Sequence, residues 1–310
     1  MSTPPNATPG SALDTQTIAP AIESPTRPFY WSIRRELWEY RSIYIAPLAV
    51  AAVFLAGFLI STVRLPQKMR DLAALDASRQ QELIQQPYVF AALLIMGATF
   101  VVAFFYCLDA LQGERRDRSI LFWKSLPVSD LTTVLSKAAI ALVIIPLLTF
   151  AISMVTIWIM YLISTVVLVG SGVGTATLWS RMPLWQMTLT LLNHLVFLHG
   201  LWYAPFYCWL LLVSAWARRM AFLWAVIPVL TLHALEKVAL NTSHFASILS
   251  YRILGAPSHH ALTTGRVSMD PLDTLSPGEF LALPGLWIGL IVAAIFLALT
   301  VRLRRYREPM

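Results

Sequence analysis

Apolar and charged positions follow one another along this chain in long blocks, not in short periods. An α-helix rises 1.5 Å per residue, so about 20 apolar residues cross the roughly 30 Å hydrocarbon layer of a bilayer. Six blocks approach or exceed that length. The first, 43–63, has no charge between Arg41 and Arg64, and the second, 87–110, is uncharged from Pro87 to Leu108 and meets Asp109. Pro87 suits a first helical position, where a missing N–H costs nothing. The third, 138–170, is followed by no charge before Arg181, so Gly170-Ser171-Gly172-Val173-Gly174 is expected to mark its end. Pro146 predicts a kink within it, since it removes one helical hydrogen bond. The fourth, 189–217, stops at Arg218-Arg219, and the fifth, 220–237, meets Glu236-Lys237 early and is short for a crossing. The sixth, 280–302, is uncharged between Glu279 and Arg302. The expected fold is an all-α membrane protein with six transmembrane helices within 43–303.

Two segments fit neither span nor plain loop. Over 28–42, Tyr30, Ile33, Leu37 and Tyr40 recur at helical spacing, Trp31 and Trp38 widen that side, and Arg35, Glu36 and Glu39 fall elsewhere on the wheel. An aromatic-rich amphipathic helix beside a span lies in the headgroup plane; a cytoplasmic extension of the first span is the other reading. Over 238–283, apolar stretches such as Phe245 to Leu249 mix with Pro, Gly and His, which fits either a re-entrant segment or an ordinary outer loop. Residues 1–27 are rich in Pro, Ser, Thr and Ala, lack the apolar region of a secretory signal, and read as a disordered cytoplasmic tail; 304–310 form a second tail.

Composition agrees with the pattern. The chain has 310 residues, 57% hydrophobic and 13% charged, against about 25% charged in soluble domains. The net charge of +7 is read through its placement. With the N-terminus inside, Arg27, Arg34, Arg35, Arg41, Arg115, Arg116, Arg118, Lys124, Lys137, Arg218, Arg219, Arg302, Arg304, Arg305 and Arg307 fall on the inner side, fifteen of the 23 cations. Cytoplasmic loops carry the excess of Lys and Arg, so both termini are expected in the cytoplasm. The basic balance thus belongs to a membrane protein and not to a nucleic-acid binder.

Catalytic signatures are sparse. No Gly precedes Lys124-Ser125 in a phosphate-binding loop, and neither His-Glu-x-x-His nor Gly-x-Ser-x-Gly occurs. Cys107 and Cys208 both lie in apolar runs and read as packing residues. His194 and His199 are five apart, about 140° around an α-helix, and would not share one metal easily. Glu236-Lys237 either ends the fifth span at the outer interface or forms part of an outer gate. Gly285-x-x-x-Gly289 fits a close helix-packing motif.

The loop 111–137 is the most distinctive segment. Mixed charge in Glu114-Arg115-Arg116-Asp117-Arg118 precedes the apolar patch Ile120-Leu121-Phe122-Trp123, then Lys124-Ser125 and Leu126-Pro127-Val128-Ser129. Ser129 before Asp130 predicts a helix cap. Exposed apolar surface of this kind needs a partner or the headgroup layer. The loop resembles the one in permease subunits of type 2 ABC exporters, where Glu-Arg, a Leu/Phe-rich turn, Leu-Pro-Val-Ser and a Gly-Lys opening the third span follow in order. Glu114-Arg115, Leu121-Phe122, Leu126-Pro127-Val128-Ser129 and Lys137 carry the match. Arg118-Ser119 stands where Gly-Thr is common, and Ser136 where Gly is. Together with the layout of spans, the resemblance covers most of 29–307.

The resemblance implies a dimer, with a second copy or a paralogue, of a multi-pass protein of the bacterial cytoplasmic membrane. A separate ABC ATPase subunit would bind ATP and Mg, and this chain would hold no cofactor and catalyse nothing itself. Glu114, Arg115, Arg118, Ile120, Leu121, Phe122, Trp123, Lys124, Leu126 and Pro127 would form the coupling helix that meets that subunit. The second and fifth spans would line the path, with Phe100, Phe104, Trp224, Glu236 and Lys237 at the path or its gate. The substrate would be hydrophobic or amphipathic. Two other readings stay open: an integral-membrane enzyme using the His and carboxylate residues, and a non-transporting scaffold that recruits a cytoplasmic partner.

Overall fold

A computed structural model describes residues 26–306 except 73, 118–127, 183 and 255–276. The described chain is helical, with no strands. In order it forms α1 (Thr26–Glu39), α2 (Ser42–Leu72), α3 (Ala77–Arg116), α4 (Asp130–Gly170), α5 (Ala176–Arg181), α6 (Leu184–Trp202), α7 (Ala204–Trp216), α8 (Ala221–Leu240), α9 (His244–Leu254), α10 (Pro277–Leu281) and α11 (Pro284–Tyr306). Helices α2, α3, α4, α8 and α11 are long and apolar enough to cross a membrane. Helices α6 and α7 meet at a 45° bend and make a sixth crossing if they count as one. The architecture is that of a membrane-embedded helical protein.

The helices outrun the apolar blocks because hydropathy marks a helix's middle and not its ends. Helix α3 starts ten residues before Pro87, where the Asp76 carboxylate accepts the Arg79 amide at 3.3 Å. Its first turns are held by buried Gln80 and Ile84. Pro87 therefore sits inside the helix and not at its first position, which corrects the sequence expectation. Helix α4 opens at Asp130, where the Ser129 hydroxyl accepts the Thr132 amide at 3.1 Å, the cap expected from that pair. It ends at Gly170, and Gly172 turns the chain at φ 69°.

Among the described residues three stretches are π-helical: Ile140–Ile144 in α4, His194–Trp202 in α6 and Glu236–Leu240 at the end of α8. Pro146 removes the amide that would bond the Leu142 carbonyl in a regular α-helix. Gly200 packs against that same carbonyl, where a β-carbon would come within 3.1 Å of the oxygen. The expected kink thus becomes a wide turn with a glycine closing on it.

The core lies in two main clusters. Ile43, Tyr106, Ile140, Tyr207 and Leu211 pack at the end near α1, and Phe58, Ile84, Tyr88, Met160 and Leu168 pack toward the other end. Helix α8 stays at the margin: Ala221 and Ala225 are its buried residues, whereas Phe222, Trp224, Ile227, Leu230 and Leu235 are exposed. Apolar surface of that extent is stable in lipid or against another chain.

Candidate functional site

Four ionisable side chains that spend almost no surface on solvent converge where α1, α3, α4 and α11 meet. Glu36 is 1% exposed, Lys137 1%, Glu114 4% and Arg304 7%. Glu36 follows Ile33 by three positions and precedes Tyr40 by four, so it lies on the face of α1 that packs inward. This corrects the placement of Glu36 away from the apolar side. The converse holds for Trp31 and Trp38, which face away from the bundle and are exposed.

The Lys137 ammonium donates to Oε1 of Glu36 at 2.6 Å and lies 3.1 Å from Oε1 of Glu114. Arg304 holds the other Glu114 oxygen at 2.6 Å through Nη1 and Asp130 at 3.1 Å through Nε. Arg35 joins Glu36 at 2.8 Å and Glu114 at 3.0 Å, and the Tyr106 hydroxyl donates to the second oxygen of Glu36 at 3.2 Å. Glu36, Glu114 and Asp130 thus face Lys137, Arg304 and Arg35, a balanced set in which the buried carboxylates are bonded through both oxygens. Breaking such a set at one member leaves an unpaired buried charge. At its edge, Glu39 meets Arg35 at 3.5 Å. Burial, and then repulsion from Glu36, raise its carboxyl above the ordinary glutamate value.

The network grips the distinctive loop on both sides. Glu114 and Arg115 lie just before residues 118–127, and Asp130 and Lys137 just after. Arg115 donates to the Ser214 and Ala217 carbonyls, the latter at 2.8 Å, and so caps the C-terminal end of α7. The Ser214 hydroxyl accepts the Leu111 and Gln112 amides, each at 3.0 Å. The entry to the loop is therefore tied to α1, α4, α7 and α11 together. Arg118, Ile120, Leu121, Phe122, Trp123, Lys124, Leu126 and Pro127 lie outside the described residues.

The remaining candidates are placed apart. Phe100 stacks on Phe206 at 5.7 Å, and Phe104 meets Phe206 and Phe222 each at 6.1 Å, so both join an aromatic column between α3, α7 and α8. Trp224 pairs edge-on with Trp216 at 4.7 Å. Glu236 caps α9: its carboxylate accepts the His244 amide at 2.6 Å, the Phe245 amide at 2.8 Å and the Thr242 hydroxyl at 3.0 Å. Lys237 is exposed.

Sequence spacing set His194 and His199 far apart around the helix, yet their ring centres lie 6.3 Å apart. The i→i+5 bonding of a π turn brings residues five apart to one side. His199 is buried, and neither ring nitrogen has a hydrogen-bond partner among the described residues. Among the described residues, no three His, Cys, Asp or Glu side chains gather where they could hold a metal; His259-His260 lies outside them. The glycine pair of α11 receives α9: the Arg252 guanidinium lies against Gly289 and donates to the Gly285 carbonyl at 3.0 Å, stacked on Trp202 at 4.3 Å.

Glu36, Asp130, Ser214 and Arg304 were not singled out from sequence. For Glu36 a signal existed, an acid on the apolar face of an amphipathic helix. Arg304 follows buried Thr300 by one turn, which marks it as inward-facing in the same way. No family model, no curated protein and no solved structure matches the chain.

Proposed function

We propose that this chain is the membrane-spanning subunit of an ATP-driven exporter of the type 2 ABC class. One observation carries the reading: the segments before and after the apolar loop are joined by a single buried ion-pair network that also holds α1 and α11, with Arg115 hydrogen-bonded to α7. A force delivered by the loop to its flanking residues would reach α1, α4, α7 and α11 through Glu114, Arg115, Lys137 and Arg304. That is the mechanical requirement for a contact that converts closure of a cytoplasmic ATPase into movement of spans.

In this reading six spans leave both termini in the cytoplasm, α1 lies in the headgroup layer, and two copies or two related chains form the path. The exposed apolar face of α8 supports a lateral contact between them. ATP and Mg belong to the separate ATPase, whose binding of ATP shifts an inward/outward equilibrium through contacts that differ between the two states at the loop. The cargo is hydrophobic or amphipathic, and the setting is a bacterial cytoplasmic membrane.

The experiment is co-purification with an ATPase encoded beside this gene, followed by ATP turnover in proteoliposomes. Phe122→Ala with Trp123→Ala is expected to leave membrane insertion intact and to abolish coupling of turnover to transport. Transport at the normal rate in that variant would overturn the coupling role. A complex with no substrate-stimulated turnover would favour a scaffold, and activity without a partner would favour an enzyme.

A further inference from the structure

At the α1 end the enclosed acids are matched by enclosed cations, and several further cations stay outside. Glu36 and Glu114 are enclosed, Asp130 holds Arg304, and Asp109 holds Tyr40 at 3.2 Å and Arg116 at 3.5 Å. Arg34, Arg41, Arg218, Arg219, Arg302 and Arg305 are exposed, and none is bonded to an acid among the described residues. Arg41, Arg218, Arg219, Arg302 and Arg305 border an apolar helix at its first or last turns, and Arg34 lies within α1. Exposed Ile45 and Leu48 follow on the first two turns of α2, so in the proposed interfacial placement the end of α1 meets the edge of the hydrocarbon.

On that face Arg34 lies between two tryptophans. Its guanidinium carbon is 5.2 Å from the centre of the Trp31 ring and 5.1 Å from that of Trp38. The spacing i−3, i, i+4 puts all three on one side of the helix, and the rings are 57% and 68% exposed. Arg34 makes no hydrogen bond among the described residues. Two aromatic faces therefore orient a guanidinium whose donors remain unused. Arginine's planar fork matches phosphate oxygens, and tryptophan favours the headgroup layer, with an apolar body and a polar tip.

From this geometry we infer that Trp31, Arg34 and Trp38 form a clasp for the phosphate of an anionic phospholipid. The indoles lie among the glycerol and upper acyl groups, and Arg34 binds the phosphate between them. An acidic protein segment is the less fitting partner, because exposed apolar residues of the adjoining span, Ile45 and Leu48, follow within two turns. The clasp rests on the proposed interfacial position of α1.

The test uses the full chain in two measurements. Native mass spectrometry follows binding of phosphatidylglycerol and of phosphatidylcholine to the detergent-solubilised protein. Phosphatidylglycerol is expected to bind more tightly, and Arg34→Gln to weaken it about fivefold, the share of one interfacial cation, leaving phosphatidylcholine unchanged. Arg34→Lys keeps the charge without the fork and is expected to fall between the two, which keeps the test open if the glutamine variant folds poorly. In nanodiscs, bromine-labelled phosphatidylcholine is expected to quench the fluorescence that Trp31→Phe with Trp38→Phe removes. Quenching without headgroup preference, or a preference indifferent to Arg34, overturns the clasp and leaves the interfacial helix standing. Absence of quenching removes both.

Discussion

The ammonium of Lys137, one turn before the apolar run of α4, lies 2.6 Å from the carboxylate of Glu36 on α1, and both side chains are 1% exposed. Neither charge could be held there alone, because an unpaired ion away from water costs far more than a pair. The pair therefore fixes α1 against α4 as strictly as a packed core residue would.

Lys137→Met leaves Glu36 and Glu114 facing each other with one cation fewer. It is expected to destabilise the protein by about 3–5 kcal/mol. Glu36→Leu combined with Lys137→Met should recover much of that loss, since an apolar pair of similar volume replaces the ions. Thermal unfolding in detergent of both singles and the double variant measures the coupling. Strict additivity of the two losses would refute it.

Arg304 ties the last turn of α11 to both sides of the loop. Arg304→Met is expected to raise amide hydrogen exchange in 112–117 and 128–137 while leaving the distant cluster around Tyr88 and Leu168 unchanged. Mass-spectrometric exchange on the purified chain reads the difference, and an even rise across the whole bundle would show global loosening instead.

Gly289 is open to Arg252 only because it lacks a β-carbon. Gly289→Ala should displace the guanidinium from the Gly285 carbonyl and the Trp202 face, at about 1–2 kcal/mol. In an Arg252→Ala background the same substitution should be close to neutral. Thermal shifts of the four proteins of the cycle decide it, and equal losses in both backgrounds would mean that the notch serves another contact.

His199 buries two ring nitrogens without partners among the described residues, which is a cost and not a gain. His199→Leu is expected to leave stability unchanged or to raise it. A clear drop in unfolding temperature would show that the ring makes a polar contact within the membrane.

The apolar blocks were legible because the hydrocarbon layer selects for length and hydropathy one segment at a time. The Ser129 cap was legible because it depends on four consecutive residues. The start of α3 was hidden, since Asp76 caps a polar, amphipathic beginning that hydropathy does not register. The His194–His199 proximity was hidden too: a π turn changes the angular step, and nothing in the two residues reports it. Gly285 and Gly289 announced a close approach but not that Arg252 would occupy it.

Glu114, Arg115 and Lys137 stood out from the residue order around the loop, yet their use did not. Sequence by itself determined a helical membrane protein with a charged, apolar-centred loop, because local pattern and solvent decide those features. The tertiary structure alone decided which charges are enclosed, that Glu36 and Arg304 complete the set, and which face of α1 remains outside. Those choices depend on contacts between residues as far as 190 positions apart, and desolvation acts only once the helices have come together.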